Sequence, residues 1–248
     1  MYHMDHVLQA TNIVKTYHKR HVVRSISIEL HQGEIVGLLG PNGAGKTTTF
    51  RIITGEVKAD SGSIRFDETE IGGWPMYKRA RLGMAYLSQE SSAFRGLTTE
   101  QNVLAVLELN GCSKKEGRDR TEALLQEFDM VSRRTVKARD LSGGERRRLE
   151  VMRALSLKPH FVLLDEPFAG VDPIAVEYLQ KIVETLKDKH IGVLITDHNV
   201  HETLEIADRA YVIAEGQILI QGTPNDIAYD ETVRKVFLGQ QFKLRGTA

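Results

Sequence analysis

The stretch that most restricts the fold of this chain runs from Ile35-Val36-Gly37-Leu38-Leu39 into Gly40-Pro41-Asn42-Gly43-Ala44-Gly45-Lys46-Thr47-Thr48. An apolar run with strand character breaks into a glycine-rich turn, which passes into residues able to open a helix. The turn has the form G-x-x-x-x-G-K-T, and its composition dictates its chemistry. Glycines lack a Cβ, so the backbone can come close to a bulky anion, and successive N–H groups then converge on phosphate oxygens. Lys46 would set a cation on the β- and γ-phosphates, and the Thr47 hydroxyl would ligate Mg2+. A glycine turn that merely carries a lysine explains the same letters less well. Strand, turn and helix stand here in the order that a nucleotide phosphate site requires.

The remaining chain is long enough, at 248 residues, to build a full core around that unit. With 41% hydrophobic and 27% charged residues and a net charge of zero, it has the composition of an ordinary globular domain. No bulk charge is available to recruit nucleic acid or anionic lipid. The single cysteine, Cys112, can form no internal disulfide, which fits a reducing compartment. Met1-Tyr2-His3-Met4-Asp5-His6 carries no signal-peptide pattern, and no apolar run approaches a membrane span. Any role at a membrane is therefore expected to be peripheral. His3 and His6 lack a third ligand and are not read as a metal site.

In order, strands are expected at residues 8–14 and 22–30, then a helix at 47–53 closed by Gly55, and a strand at 63–66. Residues 74–82 read as a basic, exposed helix that begins with Pro75 and carries Lys78, Arg79 and Arg81. A buried strand at 83–87 ends in Ser88-Gln89-Glu90. Apolar residues at helical spacing in 100–109 and 120–128, with charged opposite faces, predict a helical block. The link to it, Ser91-Ser92-Ala93-Phe94-Arg95-Gly96, looks like a hinge. Further on come a buried strand at 191–195, a hairpin at 211–213 and 217–220, and a closing helix at 225–238.

Three later stretches carry chemistry. In Leu141-Ser142-Gly143-Gly144-Glu145, Ser142 and Glu145 form a capping box that opens a helix. Its two glycines leave bare N–H groups at a helix N-terminus, a second anion-binding arrangement. Phe161-Val162-Leu163-Leu164-Asp165-Glu166 reads as a buried strand with two carboxylates at its C-terminal end, the edge where α/β sheets bind ligands. Asp165 would hold Mg2+, and Glu166 would polarise an attacking water. His198, in Thr196-Asp197-His198-Asn199, falls on the same edge and would contact the terminal phosphate. Tyr17 could stack on an adenine, although alone it reads as a half-exposed tyrosine at a strand end.

Together these pieces resemble the ATP-binding cassette ATPases of ABC transporters over essentially the whole chain. The matching residues are Tyr17, Gly40 through Thr48, Gln89, Leu141 through Glu145, Phe161 through Glu166, Ala169-Gly170-Val171-Asp172 and His198, in the family's order. The resemblance implies an α/β fold: a P-loop NTPase core with a parallel sheet, an N-terminal antiparallel β subdomain and an inserted α-helical subdomain. Residues 1–89 and 159–248 would form the first two, and 90–158 the third, all as one ABC ATPase domain.

It also implies a homodimer around ATP and Mg2+, in which Ser142, Gly143, Gly144 and Glu145 of one copy cover the nucleotide on the other's phosphate loop. Lys46, Gln89, Glu166 and His198 would be catalytic, with Thr47, Gln89 and Asp165 at the metal. Within the family, LSGGERRRLE, LLDEPFAGVDPIAV, TDHNVHETL and VRKVFLGQQFKL look like the ATPases of bacterial lipopolysaccharide exporters. That implies docking of two transmembrane subunits near Phe94 and Arg95, and dimer contacts from the tail beginning at Phe242. Ser88 replaces the usual proline before the hinge glutamine, and Glu145 the frequent glutamine. ATPases of branched-chain amino-acid importers have a similar pattern. Non-transport ABC proteins of translation or DNA repair fit less well, since the chain has one cassette and no heptad run.

Overall fold

The computed structural model describes residues 5–244, so His3 lies outside the described residues. The elements follow as β1 (Val7–Tyr17), β2 (Arg20–His31), β3 (Ile35–Leu39), α1 (Lys46–Thr54), β4 (Ser61–Phe66), β5 (Thr69–Glu70), α2 (Met76–Arg81) and β6 (Met84–Leu87). Next come α3 (Thr99–Leu109), α4 (Lys114–Glu127), α5 (Gly143–Leu155), β7 (Phe161–Asp165), α6 (Pro173–Asp188) and β8 (Gly192–Thr196). The chain closes with α7 (Val200–Ile206), β9 (Arg209–Ala214), β10 (Gln217–Gly222) and α8 (Pro224–Tyr229). The described residues divide into two compact units, one built from the segments up to Met84 and from His160 onward, the other from Ala85–Pro159.

The first unit contains two sheets. In one, β1 is central and pairs antiparallel with β2 and β4. In the other, β3 lies between β9 and β8, and β7 follows β8, all parallel. Every residue of β3, β7 and β8 is buried, the near-continuous apolar pattern expected of strands covered on both faces. β10 turns back antiparallel on β9 through Glu215 and Gly216, both at positive φ, the geometry of a tight hairpin. Arg209 joins the two sheets: it bonds the carboxylate of Glu34 at 2.8 and 2.9 Å and the Glu29 carbonyl at 2.5 Å. The parallel topology brings the ends of β3, β7 and β8 to one edge, since Leu164 pairs with Ile195 and Gly37 with Ile195 in turn.

The second unit is helical. Its three helices each begin at a capping box, Thr98 with Gln101, Ser113 with Glu116 and Ser142 with Glu145. Val103, Leu107, Leu124, Leu125, Leu149 and Met152 are buried. Arg134 bridges Glu100 and Glu122 across the unit.

Several expectations change. The helix expected at 120–128 starts at Lys114, because Ser113 and Glu116 supply the earlier cap. The closing helix ends at Tyr229. Asp230 leaves the helical region and its carboxylate caps Val233 N at 2.7 Å, opening a second helical stretch that runs on to Leu238, so the expected helix is interrupted at one residue rather than absent beyond it. Pro75 is the N-cap of α2 rather than its first helical residue. That helix is also not simply an exposed basic one, since Arg79 is 1% exposed.

Candidate active site

The loop between β3 and α1 is held by backbone on two sides. A Cβ on Gly40 would lie 2.0 Å from Ile213 O, and one on Gly45 would lie 2.6 Å from Val22 O. Both glycines also have positive φ, 144° and 105°, so glycine is required twice over. Gly216 N donates to Ala44 O at 2.9 Å, and Arg24 N donates to Gly216 O at 2.7 Å, which ties the loop to the β9–β10 turn and to β2. With Gly45 as N-cap, α1 has no side-chain cap, so the N–H groups of its first turn face the loop's concavity.

Lys46 is 6% exposed, and its Nζ donates to the carbonyls of Gly40 at 2.6 Å and Pro41 at 3.0 Å. Burial lowers its pKa, opposed by the charges of Glu166 and Asp197. The ammonium thus feels the charges of carboxylates that follow the next strand, β8 (Asp197), and the one beyond it, β7 (Glu166). Asn42 and Thr47 are exposed, Pro41 and Thr48 half-buried.

The carboxylates stand at the strand ends. Asp165 is the last residue of β7 and is buried. Glu166 follows at φ 46°, an uncommon conformation for a residue with a side chain, and its N–H donates to Thr196 O at 2.7 Å. That bend turns the Glu166 carboxylate off the strand line toward β8. His198 Nδ1 lies 3.7 Å from Glu166 Oε2 and 3.6 Å from Asp197 Oδ1. Lys46, Glu166 and His198 therefore meet on one edge of the parallel sheet.

Asp197, to which the sequence reading assigns no role, links the two strand ends that carry Glu166 and His198. It is fully buried and accepts hydrogen bonds from Phe168 N and Asn199 N, both at 2.8 Å. Asn199 Nδ2 returns a bond to Phe168 O at 3.1 Å. These contacts join the turn after Glu166 to the segment that carries His198. Burial raises the Asp197 carboxyl above its ordinary pKa, and the two N–H bonds and His198 oppose that rise. Its signal was an acid directly after a buried strand, beside the histidine.

Tyr17 ends β1, 41% exposed, with Lys15 Nζ 5.4 Å from its ring centre. Among the described residues, no side-chain hydrogen bond or ring contact joins it to the phosphate loop, and its ring is open on the same unit.

Ser142, Gly143, Gly144 and Glu145 belong to the helical unit. Ser142 Oγ accepts Glu145 N at 3.3 Å, and Glu145 Oε2 accepts Ser142 N at 2.9 Å. Arg133 adds a 2.5 Å bond to the same carboxylate. The Ser142 bond and then Arg133 pull the Glu145 pKa down to about 2. A Cβ at Gly143 or Gly144 would meet nothing within 4 Å. Among the described residues, nothing requires glycine there.

Phe94 is 43% exposed yet held in place. Its ring carries the Arg153 guanidinium at 4.6 Å, and the buried Asn102 side chain bonds Phe94 N at 2.8 Å and the carbonyls of Phe94, Leu97 and Thr98 at 3.0 to 3.2 Å. Arg95 and Gln89 are exposed in the same unit. No helix of the described residues is long and apolar enough to cross a membrane.

Comparison with known proteins places this arrangement. Residues 23–169 match the family model described as ABC transporter. The lipopolysaccharide export system ATP-binding protein of Acidithiobacillus ferridurans is 50% identical over 97% of this chain and 100% of its own length. The protein of that name in Escherichia coli K12 is 49% identical over 96% of this chain and 99% of its own. A probable ABC transporter ATP-binding protein of Azorhizobium caulinodans is 52% identical over 96% and 84%. Among solved structures, an ATP-binding cassette of an ABC transporter in its ADP conformation is 28% identical, with a TM-score of 0.84 over 95% of this chain and 99% of that one. A chain that pairs this phosphate loop with a carboxylate and a histidine on one sheet edge, and matches such relatives end to end, is an ATP-binding, ATP-hydrolysing subunit of the ABC transporter family.

Proposed function

We propose that this chain powers lipopolysaccharide export from the inner membrane, as a homodimer that closes around two ATP molecules. The bare glycines of α5 carry the dimer part of this reading. A helix N-terminus capped by Ser142, whose first two residues have no Cβ and whose Cβ positions would meet nothing within 4 Å among the described residues, fits the close approach of an outside anion. The lipopolysaccharide export proteins, matched along nearly their whole length, supply the cargo. These relatives do not favour the reading as the ATPase of a branched-chain amino-acid importer.

Residue roles follow from position. Lys46 and the N–H groups from Gly40 to Thr48 bind the phosphates, and Tyr17 offers a flat ring to the adenine. Glu166 accepts a proton from water as that water's oxygen bonds to the γ-phosphorus. The bond to the β–γ bridging oxygen breaks, and ADP departs with the electron pair. His198 donates to the γ-phosphate oxygens while its contacts with Glu166 and Asp197 keep it on that edge. The exposed Thr47 residue and the Asp165 carboxylate offer hard oxygen donors in the same unit, a pairing suited to Mg2+, and the family resemblance adds Gln89 as a further ligand. That ion, when bound, neutralises charge on the β- and γ-phosphates. In the partner's site, Ser142, Gly143, Gly144 and Glu145 cover the terminal phosphate.

Two transmembrane subunits would dock where Phe94 and Arg95 are exposed, holding the chain on the cytoplasmic face of the inner membrane. The test is to recover the intact complex from membranes and identify its transmembrane chains. Lipopolysaccharide-export permeases are expected. Amino-acid permeases together with a periplasmic binding protein would overturn the cargo in favour of the importer. In parallel, the Glu166→Gln chain should retain ATP and accumulate as a dimer on gel filtration, with turnover abolished. A variant that hydrolyses normally would remove Glu166 from its role.

A further inference from the structure

Arg79 sits at the end of α1 remote from the phosphate loop. Its Nη1 donates to Ile52 O at 2.9 Å and Ile53 O at 2.6 Å, carbonyls of the last turn of α1. Nε donates to Trp74 O at 3.0 Å and Nη2 to Gly72 O at 3.2 Å. One guanidinium thus satisfies four backbone carbonyls and pins the helix end to the segment that enters α2. The C-cap glycine is fitted to it, since a Cβ on Gly55 would lie 2.7 Å from Arg79 Nε. Burial lowers the Arg79 pKa to about 10, with the charge of Glu70 opposing, so the group stays cationic at neutral pH.

Such a cation does more than cap. The last carbonyls of a helix form the negative pole of its dipole, and its first N–H groups form the positive pole. Here the positive pole opens onto Gly40 to Thr48. A helix of nine residues spans about 13 Å. Over that distance a buried charge is screened far less than one in water. A cation sealed at the negative pole offsets that pole, so less of it opposes a polyphosphate held at the loop.

We propose that Arg79 is a positioning residue for nucleotide: by fixing and neutralising the C-terminal end of α1, it raises the affinity of the loop at the other end for phosphate. This rests on the reading of Gly40 to Thr48 as a phosphate site. The effect grows with ligand charge, whereas a purely structural role does not.

The test uses the full chain carrying R79M or R79K, with K46A as reference, titrated with ATP, ADP and AMP at low and high salt. R79M should bind ATP about fivefold more weakly, ADP less so and AMP nearly as the parent does, with the gap narrowing in salt. R79K should have a lower melting temperature, because an ammonium cannot reach all four carbonyls, yet keep the parent's ATP-to-AMP affinity ratio. Equal losses for all three ligands in R79M, or no loss, overturn the proposal. If R79M does not fold, a folded R79K that has lost the ratio overturns it alone. ATP binding retained by K46A would instead refute the phosphate site itself.

Discussion

The carboxylate of Asp197 takes a 2.8 Å hydrogen bond from the backbone N–H of Phe168, tying the turn after Glu166 to the strand end that carries His198. The acid and the histidine of the site are therefore set by a third residue that need not touch nucleotide. Each Asp197 oxygen accepts a different N–H, from Phe168 and from Asn199. An amide has only one acceptor oxygen, and in Asp197→Asn its NH2 would face one of those donors. The substitution should cost about 1–3 kcal/mol, read as a lower urea midpoint with unchanged slope. Turnover should fall more than ATP affinity, because phosphate binding belongs to the loop. The pH dependence has a definite sign. A carboxyl whose folded pKa is raised above its ordinary 3.8 makes the folded state lose stability as pH climbs from that value through the folded pKa. The Asn variant should lack this component.

Gly144 separates folding from function. Its position in α5 is helical and nothing in the chain crowds it, so Gly144→Ala should stabilise the helix by up to about 1 kcal/mol and raise the melting temperature slightly. If α5 meets a nucleotide held by a second copy, the same methyl group should weaken ATP-dependent dimerisation of the Glu166→Gln background. Gel filtration reads the second effect and thermal melting the first. A stabilised variant that dimerises as well as its parent would remove the need for close approach at this helix.

Glu145 supplies an acid-sensitive element of the same helix. Its folded pKa of about 2 lies below the ordinary 4.5, so its contribution is complete above 4.5 and is lost as pH falls toward 2. Glu145→Gln keeps the capping geometry but not the charge that Arg133 meets. Parent and variant should differ most in urea unfolding at pH 6 and converge near pH 2.

How much of this was legible in the sequence depends on how local each signal is. The Ser142–Glu145 cap, the β7 strand and the Glu215–Gly216 hairpin are readable because neighbours in the chain determine them. The caps at Ser113 and Asp172 were equally local, and the start of α4 and the whole of α6 could have been found by the same rule. Arg79 could not. Three cations lie close together in α2, and spacing alone does not say which one meets carbonyls of a helix that ended more than twenty residues earlier. Asp197 is similar, since its burial depends on a turn after another strand. Long-range hydrogen bonds of buried charges are what sequence patterning leaves out.

Phe94 offers the last prediction. An exposed aromatic on a free loop would lose side-chain and backbone entropy on docking, but here both are already restricted by Arg153 and Asn102. Phe94→Ala should leave the ATPase of the isolated chain near its parent value while reducing recovery of the chain with membranes. Asn102→Ala should give the same loss of recovery although Asn102 itself is buried, because the loop from Phe94 to Thr98 loses its four side-chain bonds. It should also lower stability by a few kcal/mol, unlike Phe94→Ala. Comparing the two by co-sedimentation with permease-containing vesicles distinguishes a surface contact from its rigid support. Full recovery by both variants would move the docking site elsewhere on the chain.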